Sequence, residues 1–344
     1  MTDERRLLTD DRRPTTDAAG SLADGDSVAP GADSTSGPRE GQTFAGDSLA
    51  SRYASFVKLP HTLFALPFAG VGVVLASYRY PDGVTMAALL WVVVAFTAAR
   101  FAAMGFNRIV DRAFDAENPR TRRRELPTGR LTLAQAWVAV FTASAAFVFA
   151  AWRLNALCGW LAPVALMWVF LYSYTKRFTT TAHLALGLGL SMAPVGAYLA
   201  ITGAWSRPWW ALVLVALAVT FWVAGFDVIY SFQDVDYDRA RGLYSLPARF
   251  GLAQGARIAR GLHGLAVVAF FLVWALHPFA VRWFYLAAVG VMAVLLHYEH
   301  RLVHDQVRSG TLDLARIDRA FFHVNVGVSS AVFLLTLLDR LLLA

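Results

Sequence analysis

The sequence predicts an all-helical integral membrane protein whose helices cross the bilayer nine times. Of its 344 residues, 57% are hydrophobic and only 16% are charged, whereas a soluble domain carries roughly 25% charged residues. The mean hydropathy is positive, at +0.48. Apolar segments of about 20 residues, the length that a helix needs to cross a bilayer, recur through most of the chain.

The N-terminal stretch differs from the rest in composition. Residues 1–48 are rich in Asp, Gly, Ser, Thr and Pro and lack apolar periodicity, so they cannot bury enough surface to offset the chain entropy lost on folding. We expect a disordered cytoplasmic tail over residues 1–48 and one transmembrane domain over residues 49–344. The first 50 residues carry a net charge of −5, which leaves +12 on the remainder.

Each predicted helix is an apolar segment bounded by more polar links. The short link at Asn155 predicts that the third and fourth helices form an antiparallel hairpin. The nine predicted helices lie near residues 60–79, 86–107, 133–152, 155–174, 184–203, 209–230, 256–276, 281–299 and 320–341.

The basic residues of the loops predict the orientation, because cytoplasmic loops of membrane proteins are enriched in Arg and Lys. With the N-terminus in the cytoplasm, seventeen basic residues fall in cytoplasmic loops and five on the opposite side. The same loop charges account for the basic isoelectric point of 9.8, so we expect the lipid bilayer and no nucleic acid as a partner.

The predicted second helix ends in a polar stripe. Asn107, Asp111 and Asp115 recur every four residues, a spacing that puts all three on one face of a helix, about one turn apart. A solvated helix end would also explain such a stripe, so the motif alone is not specific.

A second acidic stripe closes a later apolar segment and makes the first one more specific. Asp227, Asp234 and Asp238 are separated by seven and then four residues. Asp227 lies within an apolar run, where a carboxylate is costly unless it faces a partner or a wet cavity. Both stripes fall on the predicted cytoplasmic side and can face each other across one cavity.

Two facing sets of carboxylates need cations. Oxygen ligands without His or Cys favour Mg²⁺ that bridges to phosphate oxygens, so the stripes suit magnesium ions that hold a diphosphate. Lys176 and nearby arginines supply further positive charge. Cys158 is the only cysteine, which excludes an intrachain disulfide and a cysteine-based metal site.

Two other patterns have structural explanations that we favour. His297, His300 and His304 share one helix face, and a helix end near the lipid headgroups explains them better than a metal site. The glycine pairs Gly70 with Gly72, and Gly187 with Gly189, are interpreted as small residues that allow close helix packing.

Several motifs together resemble the UbiA superfamily of intramembrane aromatic prenyltransferases, and most closely its bacterial branch labelled 4-hydroxybenzoate polyprenyltransferase-like. The resemblance covers residues 50–340 and leaves out the tail. It rests on Lys-Leu-Pro-His-Thr-Leu-Phe-Ala-Leu-Pro-Phe (58–68), the stretch from Asn107 to Asp115, Asn-Pro-Arg-Thr (118–121), Tyr-Ser-Tyr-Thr-Lys-Arg-Phe (172–178), Ala-Pro-Val-Gly (193–196), and Asp227 through Gln233-Asp234 to Ser-Leu-Pro-Ala-Arg-Phe-Gly (245–251).

The resemblance implies nine transmembrane helices around a central cavity, with short cap helices in the cytoplasmic loops of a bacterial inner-membrane protein. It implies that Mg²⁺, bound by Asp111, Asp115, Asp234 and Asp238, holds the diphosphate of a polyprenyl donor. The first motif of the family usually opens Asn-Asp, whereas Arg108 follows Asn107 here. Position 108 points about 100° away from the acidic stripe, so the metal set can survive the change.

The resemblance also implies roles for further residues. Lys176 is expected among the catalytic groups. The expected substrate-binding residues are Asn107, Asp227, Tyr172, Tyr174, Arg120 and Arg123, although an interfacial belt of aromatic and basic residues is the alternative explanation for the tyrosines.

The function that we expect is Mg²⁺-dependent transfer of a polyprenyl group to a hydroxylated aromatic acid, with 4-hydroxybenzoate as the first choice, in quinone biosynthesis. A related acceptor of menaquinone synthesis is the alternative within the same class. From a different class, the intramembrane acids of an ion-coupled transporter would leave a similar pattern, but acids at helix ends on one side favour an active site.

Overall fold

The computed structural model describes residues 48–309, 312–313, 317 and 320–343, with the backbone alone for residues 59–64 and 309. The predicted disordered tail lies outside the described residues, except for Ser48. The helices are α1 (Leu49–Phe56), α2 (Leu59–Ser77), α3 (Met86–Glu117), α4 (Leu133–Leu154), α5 (Ala156–Thr175), α6 (Ala182–Thr202), α7 (Trp210–Tyr230), α8 (Val235–Ala240), α9 (Leu246–Phe250), α10 (Leu252–Ala275), α11 (Trp283–Ser309) and α12 (Asn325–Leu343).

The predicted all-helical membrane class is confirmed. Eight helices in the described part of the chain are long and apolar enough to cross a membrane. The remaining predicted crossing, near residues 60–79, corresponds to α2. Only Ala65–Ser77 of this helix is fully described, and that stretch is a shorter apolar helix. The count of nine therefore stays a prediction.

Helix α7 lies at the centre of the bundle. In its most apolar window 67% of the residues are buried, compared with 17% for α4, so α4 is peripheral and α7 is enclosed. Helix α7 packs against α6 and α10, and α2 packs against α6. Two glycines permit these approaches: a methyl group at Gly187 would collide with the Thr220 carbonyl, and one at Gly72 with the Pro194 carbonyl.

Helix α3 carries the first polar stripe. Thr85 caps its N-terminus by accepting a hydrogen bond from the Ala88 amide. The hydrophobic pattern predicts that this helix ends near residue 107, but it continues to Glu117, because nothing in the polar segment breaks the helix. Asn107, Asp111 and Asp115 therefore lie on one continuous helix, as their spacing predicts.

The second stripe is built differently from the prediction. Helix α7 ends at Tyr230, a 3-10 turn follows over Ser231–Asp234, and α8 begins at Val235. The Ser231 hydroxyl bonds the Val228 carbonyl at 2.7 Å, a local bond of the kind that competes with regular helix geometry. Asp227, Asp234 and Asp238 consequently do not share the face of a single α-helix.

The three histidines of α11 also separate. His297 and His304 are exposed, whereas His300 is buried and its Nε2 lies 3.0 Å from Nδ1 of His263 on α10.

Candidate active site

A polar chamber of about 170 Å³ lies where α3, α5, α6 and α7 meet the short helix α8. Both predicted stripes reach it, although the second does so through a turn. The chamber is lined by Asn107, Asp111, Phe114, Asp115, Asn118, Arg120, Thr121, Arg124, Tyr172, Ser173, Thr175, Lys176, Ala182, His183, Asp227, Tyr230, Ser231, Asp234, Tyr237, Asp238, Tyr244 and Ser245.

Asp111 is held by three neighbours from two helix ends. The Asn107 side-chain amide donates to Asp111 Oδ2 at 3.1 Å, and the Arg177 guanidinium donates to Oδ1 at 3.3 Å. Lys176 Nζ lies 3.9 Å from Oδ2. The Asp111 side chain is only 7% exposed, so these partners offset the cost of burying its charge.

Two arginines of the segment after α3 pair with two further acids. Arg120 donates two hydrogen bonds to Asp234, one from Nε to Oδ1 at 2.9 Å and one from a terminal nitrogen to Oδ2 at 2.5 Å. Arg124 donates to Asp115 Oδ1 at 2.6 Å. Since each pair bridges separate segments of the chain, the cations and carboxylates interleave around the chamber.

Asp238 completes the carboxylate set from α8. It is 5% exposed. The neighbouring Tyr237 hydroxyl donates to the Phe114 carbonyl at 2.7 Å, which ties α8 to the end of α3. The chamber is thus lined by carboxylates from α3 and from the α7–α8 connection.

Tyr230 links the chamber to a further cation. Lys58 Nζ and an Arg120 nitrogen each donate to the Tyr230 hydroxyl at 3.3 Å. Burial lowers the pKa of Lys58 to about 8, although Tyr230 opposes the shift. Burial alone would lower the pKa of Arg120, but Tyr230 and Asp234 raise it above its usual range, so Arg120 stays cationic.

Asp227 has a histidine partner that the sequence analysis missed. His183 Nδ1 lies 2.7 Å from Asp227 Oδ2, and the Leu246 amide donates to His183 Nε2 at 3.4 Å. Since Nε2 accepts, the hydrogen-bond network assigns the ring proton to Nδ1, which donates to the carboxylate. The Asp227 side chain is 24% exposed, within the chamber that it lines.

An apolar cavity of about 330 Å³ continues from the chamber into the bundle between α2, α3, α4, α5 and α6. Asn107 and Tyr172 line both spaces, so they mark the junction. The lining of the cavity on α3 runs from Val92 to Asn107, which corresponds to about 22 Å along the helix axis. Arg100 is a basic member of this otherwise mostly apolar lining.

Most of the predicted site residues come together. Those that line the chamber are Asn107, Asp111, Asp115, Arg120, Tyr172, Lys176, Asp227, Asp234 and Asp238. Tyr174 and Arg123 are not among its lining residues: Arg123 is exposed, and the Tyr174 ring packs against Phe106. Arg124, one residue further along, takes the place expected of Arg123.

The donor set has the chemistry that Mg²⁺ requires. Asp111, Asp115, Asp234 and Asp238 offer only oxygen atoms, and they line one chamber. Over the described residues, no three His, Cys, Asp or Glu side chains form a metal cluster by themselves. Mg²⁺ usually takes one or two protein carboxylates and completes its ligand set with substrate phosphates and waters.

The described helices form a membrane bundle in which a charged chamber shares two lining residues with a long apolar cavity, an arrangement that suits an amphipathic, anionic ligand. The model of the UbiA prenyltransferase family matches residues 65–326. The 4-hydroxybenzoate octaprenyltransferase of Methylobacillus flagellatus is 30% identical over 263 residues, 76% of this chain and 83% of the relative. The chain belongs to the UbiA prenyltransferase family.

Solved structures agree on the fold. An apo UbiA homolog from Aeropyrum pernix K1 is 31% identical, with a TM-score of 0.72 over 82% of this chain and 98% of that chain. A UbiA homolog from Archaeoglobus fulgidus, bound to GPP and Mg²⁺, is 16% identical, with a TM-score of 0.65 over 83% of this chain and 99% of that chain.

Proposed function

We propose that the protein transfers a polyprenyl group from its diphosphate to a hydroxylated aromatic acid, with Mg²⁺ as cofactor, in quinone biosynthesis. The observation that carries the proposal is the junction at Asn107 and Tyr172, where the charged chamber meets the apolar cavity. A prenyl diphosphate likewise consists of a charged diphosphate and an apolar chain. The two parts are joined at one allylic carbon, and that carbon would lie at the junction.

The diphosphate would occupy the chamber. Asp111, Asp115, Asp234 and Asp238 would hold Mg²⁺, which supplies Lewis-acid stabilisation to the departing pyrophosphate. Arg120 and Arg124 now pair with Asp234 and Asp115, and they would donate to phosphate oxygens when those carboxylates bind metal. Lys176, 40% exposed in the chamber wall, would add a further positive charge.

The prenyl chain would occupy the apolar cavity. Leu161 and Val164 line this cavity, yet they are 40% and 54% exposed, so α5 borders an opening toward the lipid side. A chain longer than the cavity would extend through that opening. The Tyr172 ring at the junction would stabilise positive charge that develops on the allylic carbon.

The acceptor would bind beside the same junction. Arg100 offers a guanidinium in an apolar setting, which suits a carboxylate. This chemistry, together with the relatives that carry the name 4-hydroxybenzoate octaprenyltransferase, favours 4-hydroxybenzoate over a larger acceptor of the menaquinone pathway.

The same proposal includes the membrane arrangement. Nine crossings with the N-terminus inside would put the chamber at the cytoplasmic face of a bacterial inner membrane, with α8 and α9 as caps over its mouth. The basic residues of the loops support this orientation.

An acceptor panel tests the proposal. The purified protein in detergent, with Mg²⁺ and a labelled polyprenyl diphosphate, is given 4-hydroxybenzoate or a naphthoate acceptor of the menaquinone pathway. We expect prenylated 4-hydroxybenzoate. Product from the naphthoate alone would keep the enzyme class and replace the acceptor.

A further inference from the structure

Prenylation of an aromatic ring releases a proton, and the chamber needs a group to accept it. The proposed function uses only some of the residues of the chamber. Asp111, Asp115, Asp234 and Asp238 are its metal ligands. Asn107 and Tyr172 line both the chamber and the apolar cavity, whereas His183 and Asp227 line the chamber alone.

Asp227 differs from the proposed metal ligands in its partner. Asp111, Asp115 and Asp234 each accept a hydrogen bond from an arginine, whereas Asp227 pairs with His183. Asp227 lies on α7, three residues before that helix ends at Tyr230, whereas Asp234 lies in the turn that follows. Asp227 lines the same chamber as the junction residues Asn107 and Tyr172, so it is placed near a ring that would bind there.

His183 fixes the orientation of this carboxylate. Both of its ring nitrogens are engaged, since Nε2 accepts from the Leu246 amide and Nδ1 donates to Asp227 Oδ2. His183 is 5% exposed, so the imidazole is confined. Asp227 lines the chamber, and its bond to His183 places it in the manner of a general base that is oriented by a neighbour.

We propose that Asp227 accepts the ring proton of the aromatic substrate and that His183 positions Asp227 for this step. The inference rests on the proposed function. The bond between the allylic carbon and the diphosphate oxygen breaks, and its electron pair leaves with pyrophosphate. A bond forms from the ring carbon next to the hydroxyl to the allylic carbon. The hydrogen on that ring carbon then leaves as a proton to Asp227, and its bonding pair restores aromaticity.

The proton step has its own readout, because a carbon–hydrogen bond breaks in it. The test compares 4-hydroxybenzoate with its analogue deuterated at both ring positions next to the hydroxyl. In the wild type we expect equal rates, since ionisation of the donor limits turnover. In Asp227→Asn we expect a rate loss of about 10²–10⁴-fold and a primary isotope effect, because proton removal becomes limiting.

Variants of His183 separate positioning from simple packing. His183→Gln keeps a side-chain N–H donor toward Asp227 and should restore most of the activity without an isotope effect. His183→Leu lacks the donor and should show a slower rate with an isotope effect. Asp236→Asn, at an exposed position on α8, is the matched control and should behave as wild type.

The outcomes are distinct. An isotope effect that appears in Asp227→Asn and His183→Leu, but not in His183→Gln or Asp236→Asn, supports the inference. If Asp227→Asn does not fold, His183→Leu carries the same test with the carboxylate in place. Product from the wild type with no isotope effect in either variant overturns this inference alone. No product from the wild type overturns the proposed function and this inference with it.

Discussion

At the scale of single residues, the chamber is a set of carboxylates whose charges are balanced by cations until a ligand arrives. Asp234 holds Arg120 and Asp115 holds Arg124 at hydrogen-bond distance. A buried ion pair adds little net stability, because desolvation of its members offsets the attraction. Such pairs can therefore exchange partners when a metal and a diphosphate bind.

Removal of single carboxylates should abolish turnover without unfolding the protein. For Asp111→Asn and Asp234→Asn we expect kcat to fall by about 10²-fold or more, because each loses a proposed metal ligand. Radiolabelled product formation measures the effect, and size-exclusion elution in detergent checks folding. The exposed Asp236→Asn serves as the matched control. Full activity in both chamber variants would contradict the proposed metal site.

Lys58 predicts a pH dependence of anion binding. Burial lowers its pKa to about 8, so it is cationic below that pH and neutral above it. Because a cation one hydroxyl away from the chamber favours a bound anion, affinity for pyrophosphate should fall as the pH rises through this value. A bound anion in turn raises the affinity of Lys58 for its proton, so anion binding and protonation of Lys58 favour each other.

Comparison with Lys58→Arg isolates this effect from the titration of pyrophosphate itself. Arginine keeps its charge throughout. The ratio of inhibition constants, wild type over variant, should rise by about twofold to tenfold across a pH series that brackets 8. A ratio that stays constant would show that Lys58 does not sense the bound anion.

The sequence could predict residues related by helix periodicity but not those related by tertiary packing. Asn107, Asp111 and Asp115 share a helix face because their spacing is four. His183 and Asp227 are 44 residues apart, and no local pattern reports that α6 brings them together. Arg123 and Arg124 are adjacent in a segment of turns, where no period tells which one faces the chamber.

At the scale of the elements, glycines set how closely α6 approaches α7. Gly187 and Gly189 looked equivalent in the sequence. In the structure a methyl group at Gly187 would collide with the Thr220 carbonyl, whereas one at Gly189 would meet its nearest atoms at 3.7 Å, an ordinary contact. Gly187 therefore permits packing, while Gly189 lines the apolar cavity.

This difference predicts opposite effects on stability from two substitutions in one helix. Gly187→Ala should cost about 1–3 kcal/mol, because a backbone carbonyl cannot move aside cheaply. Gly189→Ala should leave stability unchanged or raise it slightly, since Ala favours the helix. The midpoint of thermal unfolding in detergent measures both. Equal midpoints for the two variants would contradict the close approach of α6 and α7.

The end of α7 differs from the continuous helix that the spacing of its acids predicts. A continuous helix was expected to carry Asp227, Asp234 and Asp238 on one face. The chain instead turns at Ser231–Asp234 before α8, yet all three acids line the chamber. Hydrophobicity and spacing located the acids, but the turn depends on local hydrogen bonds that spacing does not encode.

At the scale of the whole molecule, the continuity of the polar chamber with the apolar cavity is the main feature. Helices α2 to α6 enclose a space that runs about 22 Å along α3. The composition of the chain predicted the membrane class. The cavity itself was beyond prediction from periodicity, because it depends on small side chains contributed by five helices.

The cavity predicts a dependence on donor length. A methyl group at Gly196 would meet no atom within 4 Å, and this glycine lines the apolar cavity, so Gly196→Phe should project a ring into the space without disturbing the packing. We expect activity with long polyprenyl diphosphates to fall more than activity with the shortest donors. Gly261→Phe, on α10 and also free of close neighbours, is the control outside the cavity. Equal losses for all donor lengths would contradict a role of the cavity in holding the chain.

The most direct test of the central claim measures pyrophosphate release and prenylated product together, with a labelled polyprenyl diphosphate and 4-hydroxybenzoate, with and without Mg²⁺. We expect the wild type to form both products in equal amounts only when Mg²⁺ is present, and we expect the combined variant with Asp111→Asn and Asp234→Asn to form neither. A folded wild-type protein that releases no pyrophosphate with any donor length would contradict the account and favour an ion-coupled transporter.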